Sequence, residues 1–316
     1  MKSVRSPGFE PGLQAEGRGN HNPSTVAALA TIFNLPQFKD WLLVVKQYSP
    51  VTTRGYVKIV KTALHDLPTF DYDHILAYLK ERRAHITPGY YARILGALKA
   101  FSRFLGMPDL LSDFAFPQRQ IKPKQFWSRE QVASFYGCLT TLRMKALFLM
   151  GATTGLRKGE LLSLRIDDID FSTRTVIPKV HSGRTKHSWV SFYNEECEQV
   201  LRQHVEAKQR IEAQRPGMKR KGKLFAESCR DFKVEWRAAK EKSGVPLKFK
   251  DLRDFFAESM INLGVQAIYV DAMAGRAPAS VLAKHYVDLS PQKLKQVYDQ
   301  AGLKVLETLG VFSSAQ

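Results

Sequence analysis

The sequence predicts a mainly α-helical protein with two structured domains and one small β-sheet. Apolar residues recur at helical spacing over most of residues 33–116, and again after residue 128. Between residues 165 and 193 the pattern changes, because β-branched and aromatic residues lie on both sides of a Ser-Gly turn, which favours a β-hairpin. The chain has 316 residues, which is enough for two domains that each bury a core of their own.

Residues 33–116 are predicted to form a compact bundle of four short helices. The second helix begins near Ser49, and the fourth has Pro88 in its first turn, where a missing N–H group costs nothing. Gly106 is predicted to end this fourth helix. Residues 1–32 precede the bundle, and the many glycines and prolines near their start predict a disordered segment.

A second domain is predicted after a link over residues 117–127, in which Pro, Lys and Arg replace the periodic apolar residues. Ser128 and Gln131 form a capping-box pattern that opens the next helix. A helix that begins at Leu142 is predicted to end at Gly155. Later helices are predicted over residues 194–214, 229–242, 249–262, 266–273, 278–286 and 291–309.

The protein is strongly basic, with 48 Lys and Arg against 30 Asp and Glu and a formal net charge of +18. Such an excess favours a polyanionic partner through counterion release and long-range attraction. The three cysteines lie far apart and predict neither a disulfide framework nor a zinc site, and no apolar run is long enough to span a bilayer. The first residues lack the apolar core of a signal peptide, so we expect an intracellular protein.

Three motifs bring basic side chains to positions that suit a phosphate. The first is TGLRKGEL, in which a helix-ending glycine places Arg157 beside the N-terminus of the next helix. The second is KDLR, whose Lys250 and Arg253 share one face of a predicted helix. The third is AGR, which ends at Arg276, ten residues before Tyr286.

These residue types suit covalent cleavage of a phosphodiester. An arginine fork binds two phosphate oxygens and stays charged at any working pH. A tyrosine can serve as the nucleophile, and a lysine whose pKa is lowered by neighbouring arginines can protonate the departing sugar oxygen. Because a phosphotyrosine conserves the energy of the broken bond, strands can be rejoined without a metal or a cofactor, and we expect neither.

The order and spacing of these motifs resemble the tyrosine recombinases of the phage integrase superfamily. Lysine stands at position 250 where histidine is commoner in that family, and arginine stands at 276 where histidine or tryptophan is usual. The pattern is therefore closest to the fusellovirus-type integrases of archaeal viruses and plasmids. The resemblance implies a four-helix, SAM-like core-binding domain over residues 33–116 and an α-rich catalytic domain with a small sheet over residues 128–290. The two domains would form a C-shaped clamp around duplex DNA.

The resemblance also implies a role for each residue of the catalytic set. Tyr286 would attack the phosphorus and form a 3′-phosphotyrosine, with Tyr298 and Tyr269 as rivals that suit a core better. Lys186 in the hairpin would be the general acid, with Lys179 as the alternative. The arginines would stabilise the transition state. The catalytic residues that the resemblance implies are Tyr286, Arg157, Lys186, Lys250, Arg253 and Arg276.

The implied partner is double-stranded DNA that carries attachment sites, bound by four copies of the chain, whereas the free protein would be a monomer or a weak oligomer. We expect it in the cytoplasm of a host cell, associated with the nucleoid. Residues 291–316 are expected to contact a neighbouring copy. The apolar strip that predicts this contact comprises Val297, Leu303, Leu306, Leu309 and Val311. The basic residues expected to bind DNA are Lys58, Lys61, Arg93, Lys99, Arg119, Lys122 and Lys124.

The function implied is site-specific recombination that integrates or excises a mobile element. The alternatives are a type IB topoisomerase-like enzyme, an Xer-like chromosome or plasmid resolvase, and a non-catalytic DNA-binding protein. The pentapeptide GFEPG at residues 8–12 bears on the target, because its codons can contain the GTTCGA core of a transfer-RNA T-arm. Fusellovirus-type integrases carry their attachment site in the 5′ part of their own gene. The resemblance therefore implies integration at a transfer-RNA gene.

Overall fold

The structure is a computed structural model of the chain and describes residues 35–118, 124–179, 190–214, 222–225, 229–276 and 287–306. The chain divides into two compact units, which comprise residues 1–122 and 123–316. The segment predicted to be disordered, residues 1–32, lies outside the described residues. The domain limits assigned from the sequence stay a prediction.

Helices form the described part of the N-terminal unit. A helix over residues 35–40 continues as a π-helical turn at Trp41–Val45, where the backbone N–H of Lys46 donates to the carbonyl of Trp41 at 3.0 Å. The helical spacing of apolar residues in the sequence predicts an α-helix here, so the wider π-helical turn differs from that prediction. The following elements are α1 (Pro50–Asp66), α2 (Tyr72–His85), α3 (Pro88–Phe104) and a 3-10 turn at Pro108–Leu111.

Side-chain caps set the starts of α1 and α3. The hydroxyl of Ser49 accepts a hydrogen bond from the backbone N–H of Thr52 at 3.2 Å. Thr87 caps α3 in the same way, and Pro88 occupies the first turn, as the sequence predicted. The helices enclose an apolar core whose fully buried members include Phe38, Leu42, Val60, Leu95, Leu98 and Phe101.

The C-terminal unit is also mainly helical and contains the small predicted sheet. Its helices are α4 (Arg129–Gly137), α5 (Leu142–Thr154), α6 (Lys158–Ser163), α7 (Glu195–Gln214), α8 (Cys229–Ser243), α9 (Asp251–Asn262), α10 (Ala267–Met273) and α11 (Pro291–Ala301). Its strands are β1 (Ile169–Asp170), β2 (Thr175–Val176) and β3 (Ser191–Phe192). The mainly α fold predicted from the sequence is confirmed.

Helix α5 lies at the centre of this unit, with α7 and α9 packed against it. Residues 146–154 are all buried, as expected for a helix that is apolar on every side. The helix ends where the sequence predicted, at Gly155, whose φ is 64°. A Cβ atom at this position would also collide with the ring of Phe256, so both the backbone conformation and the available space require glycine.

The sheet has three short antiparallel strands in the order β1-β2-β3. Thr175 pairs with Phe192 and Val176 with Ser191, which are the two arms of the predicted hairpin. Strand β1 was not predicted, and its Ile169 pairs with Val176. The hairpin turn, at residues 180–189, lies outside the described residues.

The C-terminal segment corrects one prediction. The last helix ends at Ala301 rather than near residue 309, because Gly302 adopts a left-handed conformation with φ 60°. Leu303 and Leu306 are then only 2% and 1% exposed within the core of their own unit. The assignment of Leu303 and Leu306 to a strip that contacts a neighbouring copy was therefore wrong. Leu309 and Val311, and the helix predicted over residues 278–286, lie outside the described residues.

Buried hydrogen bonds fix this segment. The carboxylate of Glu196 accepts from the backbone N–H groups of Val305 and Leu306, at 2.7 and 2.9 Å. The side-chain amide of Asn194, whose Oδ1 also caps α7 by accepting from the backbone N–H of Cys197, donates to the carbonyl of Leu303 at 2.9 Å. The N-terminal turn of α7 therefore holds residues 303–306 against the core. Within the ranges that the structure covers, we find no helix of the length and apolarity that crossing a bilayer requires.

Candidate active site

Three arginines meet at the ends of three helices in the C-terminal unit. Arg157 is the residue before α6, Arg253 lies in the first turn of α9, and Arg276 follows the end of α10. Burial, together with the guanidinium charges of Arg157 and Arg276, lowers the pKa of Arg253 to about 10. Arg157 and Arg276 are thus each close enough to Arg253 to repel its charge, and Arg253 is still charged at neutral pH. A phosphate placed among them would offset that repulsion.

Glu160 holds Arg157 by two hydrogen bonds. Its carboxylate accepts from the backbone N–H of Arg157 at 2.7 Å and from Nη1 of the same residue at 2.8 Å. Glu160 is only 5% exposed, so its charge is compensated by these bonds rather than by water. The orientation of the Arg157 guanidinium is therefore fixed before any substrate arrives.

Arg253 is held by the end of α5. Its Nη1 donates to the carbonyl of Gly155 at 2.7 Å. The last carbonyls of a helix have no partner within the helix, so Gly155 offers an acceptor that the arginine satisfies. The glycine of the TGLRKGEL motif therefore has two tasks, since it ends α5 and also positions Arg253.

Arg276 is held by α10, the helix that precedes it. Gly275 has φ 66°, and the backbone N–H of Arg276 donates to the carbonyl of Asp271 at 2.8 Å. Together with a bond from the N–H of Gly275 to the carbonyl of Ala272 (3.0 Å), this is a Schellman motif. Nη1 of Arg276 also lies 2.7 Å from Oδ1 of Asp271.

Lys250 is the residue before α9, and its side chain is exposed. The backbone N–H of Arg253 donates to its carbonyl at 3.2 Å, so the two residues lie within one turn of the chain. The role of Lys250 beside the arginines stays a prediction.

The two candidate lysines of the hairpin differ in what is described. Lys186 lies outside the described residues. Lys179 has Nζ 3.2 Å from Oδ1 of Asp168, which is an ion contact without hydrogen-bond geometry, and its side chain is 62% exposed. Asp168 also accepts from the backbone N–H of Arg165 at 2.8 Å. Lys179 thus has a local structural partner, and the choice between the two lysines as general acid stays a prediction.

Tyr286, the predicted nucleophile, lies outside the described residues. Its rival Tyr298 is 3% exposed and donates its hydroxyl hydrogen to the carbonyl of Thr153 at 3.1 Å. Burial raises the pKa of Tyr298 well above its ordinary value, so this phenol resists forming the oxyanion that attacks phosphorus. Tyr269 is partly buried against the core. Both rivals have the core roles that the sequence suggested.

The basic residues predicted to bind DNA have different surroundings. Lys58 and Arg93 line a cavity of about 260 Å³ in the N-terminal unit, together with Tyr78, Arg82 and Tyr90. The role of the whole set stays a prediction.

Lys61 is exposed, and Lys99 lies 5.4 Å from the centre of the Phe116 ring. Lys124 is paired with Asp254 at 2.6 Å, in the helix that carries Arg253. Arg119 and Lys122 lie outside the described residues. Within the described ranges, no group of His, Cys, Asp and Glu side chains has the arrangement of a metal site.

The sequence analysis missed the groups that hold the arginines. The bond between Arg157 and Glu160 could have been predicted, since Glu160 stands three residues after Arg157 at the start of a helix, the usual place for a reciprocal cap. The contact of Asp271 with a cation could have been predicted too, because an acidic residue in the last turn of a helix opposes the helix dipole unless a cation is near. The hydrogen bond from Arg253 to the Gly155 carbonyl left no local pattern in the sequence, because 98 residues separate the two.

Comparison with known proteins gives relatives of one kind. Residues 125–293, slightly more than half of the chain, match the family model described as the phage integrase family. The chain is 27% identical over 190 residues to tyrosine recombinase XerC of Pediococcus pentosaceus, which covers 53% of this chain and 62% of that protein. Identity to XerC of Lactobacillus delbrueckii subsp. bulgaricus is 25% over 295 residues, covering 84% and 97%. XerA of Thermococcus kodakarensis is 26% identical over 278 residues, covering 83% and 92%.

Solved structures agree in fold. A lambda integrase dimer bound to a COC′ core site has a TM-score of 0.57 at 15% identity, covering 85% of this chain and 82% of that one. The Tn1549 transposon integrase in complex with circular intermediate DNA has a TM-score of 0.58 at 14% identity, covering 83% and 98%. The arginine motifs, the fold and the family match agree, and the chain belongs to the phage integrase family, the tyrosine recombinases, which are DNA strand-exchange enzymes.

Proposed function

We propose that this protein is a site-specific DNA recombinase that cleaves and rejoins DNA through a 3′-phosphotyrosine at Tyr286. The observation that carries the proposal is the set of three arginines at helix ends, each held by an acceptor of the C-terminal unit. The charges of Arg157 and Arg276 also lower the pKa of Arg253. Three fixed cations at one point match the charge that builds up on a phosphodiester in its transition state.

The reaction follows from these groups. The Tyr286 hydroxyl gives up its proton to solvent as its oxygen attacks phosphorus, the bond from phosphorus to the 5′-oxygen breaks, and a lysine gives that oxygen a proton. Lys186 is the preferred donor and Lys179 the alternative. The arginines hold the non-bridging oxygens, and Lys250 assists. Attack by the 5′-hydroxyl of another strand reverses these steps, so a new phosphodiester forms and Tyr286 is released.

Covalent trapping tests the proposal. In a duplex nicked just to the 3′ side of the cleavage point, attack releases a short fragment that begins with the 5′-hydroxyl and diffuses away, so the enzyme stays attached to the DNA. We expect the wild-type protein to form this adduct, with the DNA on the peptide that contains Tyr286. Tyr286→Phe should form none and still bind DNA, whereas Tyr298→Phe should form the normal amount. An adduct of full strength in Tyr286→Phe would refute the assignment.

Two kinds of recombinase are candidates. Integration of a mobile element at a transfer-RNA gene is supported by the GFEPG pentapeptide, and resolution of chromosomes or plasmids is supported by relatives named XerC and XerA that align over most of their length. The codons for residues 8–12 test the transfer-RNA target. If those codons and their neighbours match no transfer-RNA gene of the host, that target is withdrawn.

The active assembly is proposed to be four copies on two duplexes, in the cytoplasm and on the nucleoid. Light scattering of the complex with DNA tests this number. A single copy that relaxes supercoiled DNA without exchanging strands would instead indicate a topoisomerase-like enzyme.

A further inference from the structure

Helix α10 has an acidic residue where a helix usually avoids one. Asp271 lies in the last turn of α10, close to the negative end of the helix dipole, where an acid is unfavourable. A nearby cation removes this cost. In this protein the cation is Arg276, so the unfavourable acid and the predicted active-site arginine form one feature.

Two bonds join the same pair of residues. The backbone N–H of Arg276 donates to the carbonyl of Asp271 at 2.8 Å, and Nη1 of Arg276 donates to the carboxylate of Asp271 at 2.7 Å. The first bond fixes where the Arg276 backbone stands, and the second fixes where its guanidinium points. Because Nη1 faces Asp271, the other guanidinium nitrogens are the donors that remain to meet a phosphate oxygen.

The pair is better explained by orientation than by stability. The side chains of Arg276 and Asp271 are 43% and 44% exposed, and ion pairs this exposed contribute little to stability. Arg276 also feels the like charge of Arg253, which alone would push the long side chain towards solvent. The Asp271 carboxylate opposes that displacement. Glu160 and the Gly155 carbonyl do the same for the other two arginines.

We propose that Asp271 is a positioning residue for DNA cleavage, which holds the guanidinium of Arg276 in the orientation that meets the scissile phosphate. This inference rests on the proposed function, since it assumes that Arg276 binds that phosphate. Asp271 itself does not touch the substrate. Its loss should slow the chemical step while it leaves the fold and the affinity for DNA nearly unchanged.

The primary test is Asp271→Asn, which keeps the size of the side chain and removes its charge. With nicked DNA in excess, the rate of adduct formation should fall by about 10-fold to about 100-fold, the range expected when a reacting group is displaced by about 1 Å. The melting temperature should stay the same or rise, because an acid is removed from the end of a helix. A merely structural role predicts that stability and rate fall together.

Two further proteins complete the test. Asp299→Asn removes the exposed partner of Lys295 on α11 and should react at the wild-type rate. Asp271→Glu restores the charge on a longer side chain and should recover part of the rate. If the Asn variant does not fold, Asp271→Ser takes its place.

A double-mutant cycle shows whether Asp271 acts through Arg276. In the Arg276→Ala background, Asp271→Asn should change the cleavage rate by less than about twofold, because the side chain that Asp271 positions is gone. A full additional loss in that background overturns the inference, and so does a normal rate for Asp271→Asn alone. If the wild-type protein itself forms no adduct, the proposed function fails first, and the inference fails with it.

Discussion

Two groups of basic side chains in this protein differ in how they are held. The three arginines of the candidate site each have an acceptor within the C-terminal unit, supplied by a buried carboxylate, a helix-end carbonyl or an acid in a final helix turn. In the N-terminal unit, by contrast, three predicted DNA contacts have no ion pair with any residue that the structure describes. These are Lys58, Lys61 and Arg93.

Whether a basic side chain has a fixed acceptor determines which function it can perform. A fixed guanidinium can match the geometry of a transition state without reorganising, which is the condition for electrostatic catalysis. A cation without such an acceptor is not oriented in this way, but it can release counterions from a phosphate wherever the backbone of the duplex passes. We therefore expect substitutions in the first group to change the rate of cleavage, and substitutions in the second group to change the affinity for DNA and its dependence on salt.

The largest effect is expected in the first group. Arg157→Ala or Arg253→Ala should each reduce the rate of cleavage by about 10²-fold or more, the scale of losing one donor to a developing oxyanion. Single-turnover measurements with saturating nicked DNA give this rate, and a binding assay should show only a small change. Rates near the wild-type value would mean that these fixed arginines do not act on the phosphate.

The second group should respond to salt. The double variant Lys58→Ala with Lys61→Ala should bind DNA less tightly, and the slope of log K against log salt should become less steep by about 2, because each lost phosphate contact removes about 0.9. The cleavage rate at saturating DNA should be unchanged. A slower chemical step in this variant would break the distinction between the two groups.

A smaller effect separates the tyrosines. Tyr298→Phe removes the hydroxyl that donates to the carbonyl of Thr153, so the free energy of unfolding should fall by about 1–3 kcal/mol, the cost of a buried carbonyl left without its donor. Denaturant titration measures this change. Adduct formation below the unfolding range should remain normal, and its loss would return Tyr298 to the catalytic set.

The smallest effect concerns the freedom of Arg93. A Cβ atom at Gly55, in α1, would overlap the guanidinium of Arg93, which is the far end of a flexible side chain and can move away. Gly55→Ala should therefore stabilise the helix by up to about 1 kcal/mol and displace Arg93. Thermal unfolding should show the gain, and the salt slope should become less steep by about 1 if Arg93 leaves its phosphate. A destabilised protein would mean that Arg93 is held firmly.

Local signals made much of the fold predictable from the sequence. The capping box of Ser128 and Gln131, the end of α5 at Gly155 and the cap of α7 at Asn194 all depend on residues within a few positions. The burial of Leu306 was not predictable in this way. It depends on Glu196, which is 110 residues away in the sequence and accepts the backbone N–H of Leu306 only in the folded chain.

In the candidate site, too, the features that depend on nearby residues were predictable and the contacts between distant residues were not. The motifs named all three arginines, because the glycines and helix starts beside them are local features. What holds each one was predictable only where the acceptor is close in sequence, as for Asp271 and Arg276. Arg253 takes its acceptor from the end of another helix, and the mutual repulsion of the arginines arises only in three dimensions.

The two hydrogen bonds that Glu196 accepts from the backbone of Val305 and Leu306 bear on how truncated proteins should be designed. A protein shortened after Ser290 would lose the buried Leu294, Tyr298 and Leu306, so any loss of recombination would report a damaged core rather than a missing contact between copies. Shortening after Leu306 keeps these side chains and both backbone bonds to Glu196. Truncation after Leu306 is therefore the variant that tests a contact between copies without removing these buried groups.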